Sequence, residues 1–500
     1  MARGFDGNVE VEELQEIDPA EPVPYSVIRR QLVILAFFPL AEAIAWTSIF
    51  PYIYFMVQSF SDSESGEKNA AIYASFMVSC FTFGEFIMAP QWARISDRIG
   101  RKPTLLIGSM GAVISAITFG VSSSLPMAMV ARTLGGMLNP NLGVIPTYIG
   151  EMVSKEQQGT TKPPLPAIVG PVIGGYLAEP VKNYPSVFHE GTVWDRFPYL
   201  LPNLVVVVLL LASCTLGLFW LKEVHPKFRD RFDIGQRLVN AVKNFRHKGG
   251  WNATEDGYTP IRDEEGNPEI SEIPAARIDE IGETKPSAFT KQVILQIISN
   301  AILGFLTIAA LAMIPILLAT PTQSTDPESP QGLFRNAGGF GLDTTGISNI
   351  LLFQAIASIL SQFLAVPAII SRKGALSSYR IGLFVLLCTY CIMPFTAVLP
   401  SWVGIAAILV VLSIYAQAVG LVLTCSAILI TNTVPSLENL AIVNGTAASF
   451  GCLARTFGPA ISGPLFRLGL QIGYIGLPFW LLGVVTSLGL IVSMYLRDHH

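Results

Sequence analysis

The sequence predicts an all-α integral membrane protein whose twelve transmembrane helices form two pseudo-symmetric six-helix bundles, and three observations predict it. Of 500 residues, 51% are hydrophobic and 14% charged, with a mean hydropathy of +0.51; soluble domains carry about 25% charged residues. Apolar runs recur in two sets of six, near the length of about 20 residues that a helix needs to cross about 30 Å of hydrocarbon. A pattern in the fifth run, GPVIGG at 170–175, returns in the eleventh as GPAISG at 458–463.

Residues 1–28 hold seven acids and no apolar core, so they read as a cytosolic acidic tail and not as a cleaved signal. The first six spans are predicted near 31–58, 70–92, 104–122, 125–150, 164–178 and 197–220, an N-terminal bundle over 29–220. Residues 221–290, with 11 basic and 13 acidic residues, read as a solvated cytosolic central loop with one short helix near 232–245. The remaining spans are predicted near 291–319, 346–370, 379–399, 402–431, 440–467 and 472–496, a C-terminal bundle and short tail over 291–500. Spans 5 and 11 are equivalent if the second bundle repeats the first in the same order, a parallel repeat about an axis along the membrane normal. Span 5 is short: about 15 apolar residues follow Pro163-Pro164, reaching roughly 22 Å. Pro39, Pro51, Pro140, Pro146, Pro315, Pro367, Pro394 and Pro459 mark bends.

Placing the N-terminus in the cytosol puts 25 Lys/Arg on the inner side and five on the outer, Lys68, Lys182, Arg196, Arg335 and Arg467. Without the long central loop the ratio is still 13 to five, so both termini are expected in the cytosol. The sequon Asn252-Ala253-Thr254 then stays unglycosylated. All six cysteines lie in apolar runs and propose no disulfide framework; Cys388 and Cys391 form a C-x-x-C with no second pair and no neighbouring His. A net charge of -4 offers no basic surface for nucleic acid.

Between spans 2 and 3 stands WARISDRIGRKP, residues 92–103. Gly100 permits a tight turn, Arg98, Arg101 and Lys102 satisfy the positive-inside rule, and Asp97 can pair with Arg101 or cap a helix. This loop resembles the signature loop of the major facilitator superfamily, with Ala93 where that family usually has Gly. Arg132 in ARTLGG resembles the family's membrane-embedded Arg motif, which the family associates with proton coupling. Gly170, Pro171, Gly174 and Gly175 resemble the Gly-Pro motif of its antiporters, with Gly458 and Pro459 as the counterpart in span 11. AEAIAWTSIFPY at 41–52, RFPYLLPN at 196–203 and the stretch from Asn444 to Pro459 are similar to the fungal drug/proton antiporter branch near the zinc-induced facilitator-like and tetracycline-efflux groups. The resemblance covers almost the whole chain and implies the major facilitator fold and transport of small molecules.

Ionisable groups at bilayer depth cost at least about 2.5 kcal/mol each, so they face a partner or a cavity. Glu42, Glu85, Arg132 and Arg455 qualify. Counting rise per residue puts Glu42 and Arg132 at similar depth, and the two are expected to pair and to break on protonation of Glu42. Glu85 lies near the inner face, where it supports the loop around Asp97 or carries protons. Tyr52, Tyr54, Phe55, Phe76, Phe353, Gln354, Tyr415, Gln417, Asn444 and Arg455 are candidates to line a central cavity for an amphipathic organic solute.

There is no G-x-x-x-x-G-K-[ST], so the energy should come from an ion gradient and not from ATP. The five His form no zinc cluster, and no catalytic motif appears, so no enzyme, metal or cofactor is expected. The expectation is a monomeric secondary transporter in a plasma or vacuolar membrane, exchanging protons for small organic molecules. Its alternatives are a non-transporting sensor or scaffold, or a defective transporter, suggested by the short span 5, and a uniporter or importer.

Overall fold

The computed structural model describes residues 25–60, 64–152, 169–225, Phe228, 289–322, 338–433 and 437–497. The acidic tail up to residue 24, nearly all of the central loop, the sequon at Asn252 and the stretch 153–168 on which the shortness of span 5 rests lie outside the described residues.

Every secondary-structure element of the described chain is a helix. Span 1 is Tyr25–Thr47, with a turn at Pro51 leading to Ile53–Gln58; span 2 is Glu64–Ile99 and span 3 Arg101–Gly120. Span 4 comes in two pieces, Leu125–Met137 and Asn141–Met152, and span 5 is described over Val169–Leu177. Short helices Pro180–Asn183 and Val193–Arg196 lead to span 6, Leu200–Trp220. The second set is span 7 at Lys291–Ala319, span 8 from Thr344–Leu360 through a π-helical turn Ser361–Ala365 to Val366–Lys373, and span 9 at Ala375–Ile392. Spans 10, 11 and 12 are Ser401–Thr433, Leu437–Ile472 and Leu477–Met494.

Among the described residues nine helices are long and apolar enough to cross a membrane. The other three spans escape that measure for readable reasons. Span 4 is broken at Pro140, which lacks an N–H and pushes the preceding residue out of the helical region. Span 5 is described over nine residues. Span 11 is diluted by Gly, Ser, Thr and two arginines.

The buried residues show how the bundles meet. One cluster joins the ends of spans 1, 2, 7 and 8 that lie away from the Asp97 loop: Ile53, Met56, Ala74 and Met77 pack in the same core as Leu306, Met313, Leu317 and Ile347. Towards the loop face the clusters separate by bundle. Leu35, Phe38, Leu105 and Tyr148 belong to the first, and Val293, Ile297, Ile430 and Val443 to the second. The molecule is therefore closed at the face opposite Asp97, where the two bundles share one buried core. In lipid, such contacts are held by close packing and polar bonds, since the surrounding tails are as apolar as the side chains.

Candidate functional site

Pro140 does more than end a helix. The break it makes brings two carboxamides, Asn139 and Asn141, to bear on the acids of spans 1 and 2. Asn139 Nδ2 donates both to Glu42 Oε1 and, at 2.8 Å, to Glu85 Oε1. Asn141 Nδ2 donates to Glu42 Oε2 at 2.7 Å, and Asn139 Oδ1 accepts from the backbone N–H of Asn141 at 3.1 Å, fixing the turn. Three spans thus meet in an acid–amide–acid bridge. Neither asparagine stood out in the sequence; the signal available was the Asn-Pro-Asn triplet inside an otherwise apolar run.

The expected ion pair between Glu42 and Arg132 does not form, and this corrects the sequence reading. Glu42 is taken by the two amides, while Arg132 lies seven residues before Asn139 along span 4, about 10 Å nearer the closed face. At that level span 1 presents Trp46. Arg132 is 6% exposed, and its guanidinium lies over the rings of Phe81 at 4.5 Å, Trp46 at 5.1 Å and Phe119 at 5.7 Å. Aromatic faces stabilise a cation electrostatically, more so when water is excluded. Its Nε and Nη2 are buried with no hydrogen-bond partner among the described residues. Glu42 and Arg132 nevertheless line one cavity of about 50 Å³, together with Asn139, Asn141, Ser109 and Asn203. It has room for a few water molecules, each needing about 10 to 15 Å³. Chemically, the arrangement can hold or pass a proton between groups that share donors.

Several residues expected to line a central cavity serve packing in this state. Tyr52 is fully buried, accepts from Asn203 Nδ2 at 3.0 Å and stacks on Tyr199 at 5.2 Å. Tyr54 is also buried and packs edge-on against Phe55. Tyr415 is buried against Tyr390, 5.9 Å between rings. Phe55, Phe76 and Gln354 are partly buried, and Phe353 and Gln417 are exposed. The side chain of Asn444 lies outside the described residues. Arg455, partly buried on span 11, packs its Cγ at 3.4 Å from the Cβ position of Gly304 on span 7.

At the loop face the charged motif is assembled by residues distant in sequence. Arg101 is buried and bonds to Asp97 at 2.6 Å, Glu151 at 2.7 Å and Ser96 at 2.5 Å. Asp97 takes its pairing role; the helix-capping role falls to Glu223, whose carboxylate accepts from the backbone N–H groups of Arg101 and Lys102, each at 3.0 Å. A carboxylate there complements the positive end of span 3. Gly100 has φ +105°, a conformation open mainly to glycine, and a Cβ there would lie 2.5 Å from Glu223 Oε2. Lys102 donates to the Leu218 carbonyl at 2.9 Å, and Arg98 is exposed. The sequence offered no way to find Glu223 or Glu151, because their pairing depends on how spans 4 and 6 end in space.

The repeated Gly-Pro pattern is used twice in the same way. Gly170 and Gly174 lie against Thr47 and Ser48 of span 1, and Gly458 against Phe305 and Ala309 of span 7. Gly175 then crosses to the other bundle, where a Cβ would fall 1.7 Å from Ser348 Oγ, and Gly463 crosses back, where a Cβ would fall 2.6 Å from Ser75 Oγ. Ser348 also donates to the Pro171 carbonyl at 2.6 Å, and Tyr176 donates to Asn349 at 2.7 Å. Pro459 lies inside span 11 without ending it.

The profile of the Major Facilitator Superfamily matches residues 35–459. The chain is 37% identical to the major facilitator superfamily multidrug transporter mfsB of Aspergillus fumigatus, over 94% of this chain and 83% of that protein. It is 25% identical to Protein ZINC INDUCED FACILITATOR-LIKE 1 of Arabidopsis thaliana, over 91% and 88% respectively. Its fold matches the crystal structure of a D-xylose-proton symporter with a TM-score of 0.63 at 12% identity, covering 94% of this chain and 98% of that one.

Proposed function

This chain belongs to the major facilitator superfamily of membrane transporters, and from that premise we propose that it is a proton-coupled antiporter exporting or sequestering small organic molecules by alternating access. The observation that carries the proton part is the bridge Glu42–Asn139–Glu85. Two carboxylates sharing one amide donor at bilayer depth resist being charged together, so the pair takes up and releases a proton as its surroundings change. Glu42 borders the cavity that Arg132 also lines, so a proton on Glu42 changes the field around the Arg132 cation.

Alternating access is supported by the distribution of contacts: both bundles share a core at one face and keep separate cores at the other. With both termini in the cytosol, as the Lys/Arg balance argues, this is the inward-facing state. The membrane would be the plasma or vacuolar membrane, and the chain would work as a monomer. The similarity to a fungal multidrug transporter supports a range of unrelated organic solutes.

Expression in an efflux-deficient yeast tests the reading on a panel of unrelated organic toxins. The expected result is resistance to several of them that a protonophore abolishes. Resistance untouched by a protonophore would contradict the coupling, and no resistance to any member would contradict export.

A further inference from the structure

Ile294, Ile298 and Phe305 of span 7, Phe450 and Phe457 of span 11 and Val485 of span 12 line a groove of about 590 Å³ whose wall offers no polar atom. Ile294, Ile298, Phe450 and Phe457 are exposed there, which in a membrane-spanning chain means exposed to lipid. Val293 turns the other way, into a core with Ile430 and Val443, so the groove looks outward from the second bundle and lies apart from the cavity of Glu42 and Arg132. Between positions 294 and 305 span 7 rises about 16 Å, the depth of one leaflet in a hydrocarbon core of about 30 Å.

Charge stands at one end of this groove. Lys291 precedes Ile294 by three residues and Ile298 by seven, so it heads the same face of the helix. Beside it the Gln292 carboxamide accepts from the Arg497 backbone N–H at 3.1 Å and donates to the Tyr495 carbonyl at 3.2 Å. Arg380 of span 9 donates to the Ser493 carbonyl at 2.8 Å, and the stretch that follows span 12 is thereby fixed next to the start of span 7. Lys291 and Arg497 are both exposed, and neither makes an ion pair among the described residues. Spans 7 and 12 contain no acid, and span 11 contains Glu438 alone, whose side chain lies outside the described residues.

We infer that this groove binds one anionic phospholipid of the leaflet on the Asp97 side, with an acyl chain along 294–305 and its phosphate against Lys291 and Arg497. Tails alone select no occupant, because the groove and the surrounding lipid are equally apolar. Selection comes from the headgroup end, where each cation at a membrane surface favours an anionic lipid by about fivefold. A zwitterionic lipid brings a cation of its own to the same place, a cationic dye meets the same repulsion, and a second copy docked symmetrically would bring a second Lys291 and Arg497 to one seam.

Native mass spectrometry of the full chain tests this with phosphatidylglycerol and phosphatidylcholine of identical palmitoyl and oleoyl chains. The first equivalent of phosphatidylglycerol should bind at least about tenfold more tightly than phosphatidylcholine. K291Q and R497Q should each weaken it about fivefold, K291R should retain it, and I298W, which fills the groove, should abolish the tight equivalent. In nanodiscs, phosphatidylglycerol with a diazirine in its acyl chain should cross-link most strongly within 294–305 and 446–457. Equal binding of the two lipids, a preference undiminished in K291Q or in R497Q, a tight equivalent that survives I298W, or cross-linking strongest on other spans overturns the proposal. A dimer that I298W dissolves would assign the groove to a second copy, and displacement of the cross-link by ethidium would assign it to solute; either result overturns it as well.

Discussion

Gly100 and Glu223 form a pair in which each explains the other. Gly100→Ala places a side chain at φ +105° and against the Glu223 carboxylate, and about 1 to 3 kcal/mol of strain follows; thermal unfolding in detergent should show a lower midpoint. Glu223→Gln keeps the shape but gives up the charge on bonds to the N-terminus of span 3, a loss of about 1 to 2 kcal/mol. If the two single variants destabilise equally and the double variant no further, the two positions act as one unit. The Asp97–Arg101 pair and the need for Gly100 were legible from local spacing, since both act within one turn of chain. The Glu42–Arg132 pairing was not. Rise per residue gave comparable depths, yet the choice of partner was made by the amides that Pro140 turns towards Glu42.

Helices here are defined as much by their ends as by their lengths. Span 8 begins at Asp343, whose carboxylate accepts from the Gly346 N–H at 2.9 Å and the Thr345 hydroxyl at 2.6 Å. Burial raises the Asp343 carboxyl, but the hydrogen bonds from Thr345 and Gly346, with Lys182 nearby, outweigh it and hold the group below the usual carboxylate range. A depressed acid stabilises the folded state above its unfolded pKa, and that contribution fades as pH falls through the folded value. Asp343→Ala should therefore cost about 1 kcal/mol at neutral pH and less in acid, measured as the pH dependence of thermal unfolding. Span lengths and order were legible because a bilayer fixes how much apolar chain a crossing needs. Span 4 shows the limit. Its composition announces one crossing, and only the position of Pro140 between two asparagines hints that the helix is cut there to build a site.

For the molecule as a whole, the echo between residues 170–175 and 458–463 was the most informative feature of the sequence, because it exposed the twofold plan before any contact was known. What it left hidden was the use of that plan: Gly175 and Gly463 are the places where the bundles press together at the closed face, each against a serine of the other bundle. A valine at either position cannot fit without parting the bundles there. Gly175→Val and Gly463→Val should each move the resting population towards the state open at that face, read as increased labelling of a cysteine introduced at position 347, which is buried in the closed state. Labelling no greater than in the parent would mean that the closure is maintained elsewhere.

The most direct measurement is proton release coupled to solute movement in sealed vesicles containing the purified chain, with ethidium as the transported dye and a pH indicator on the opposite side. Dye should accumulate against its gradient when a pH difference is imposed, protons should move in exchange, and Glu42→Gln should abolish both responses while dye binding persists. Full proton-coupled accumulation by Glu42→Gln would contradict it.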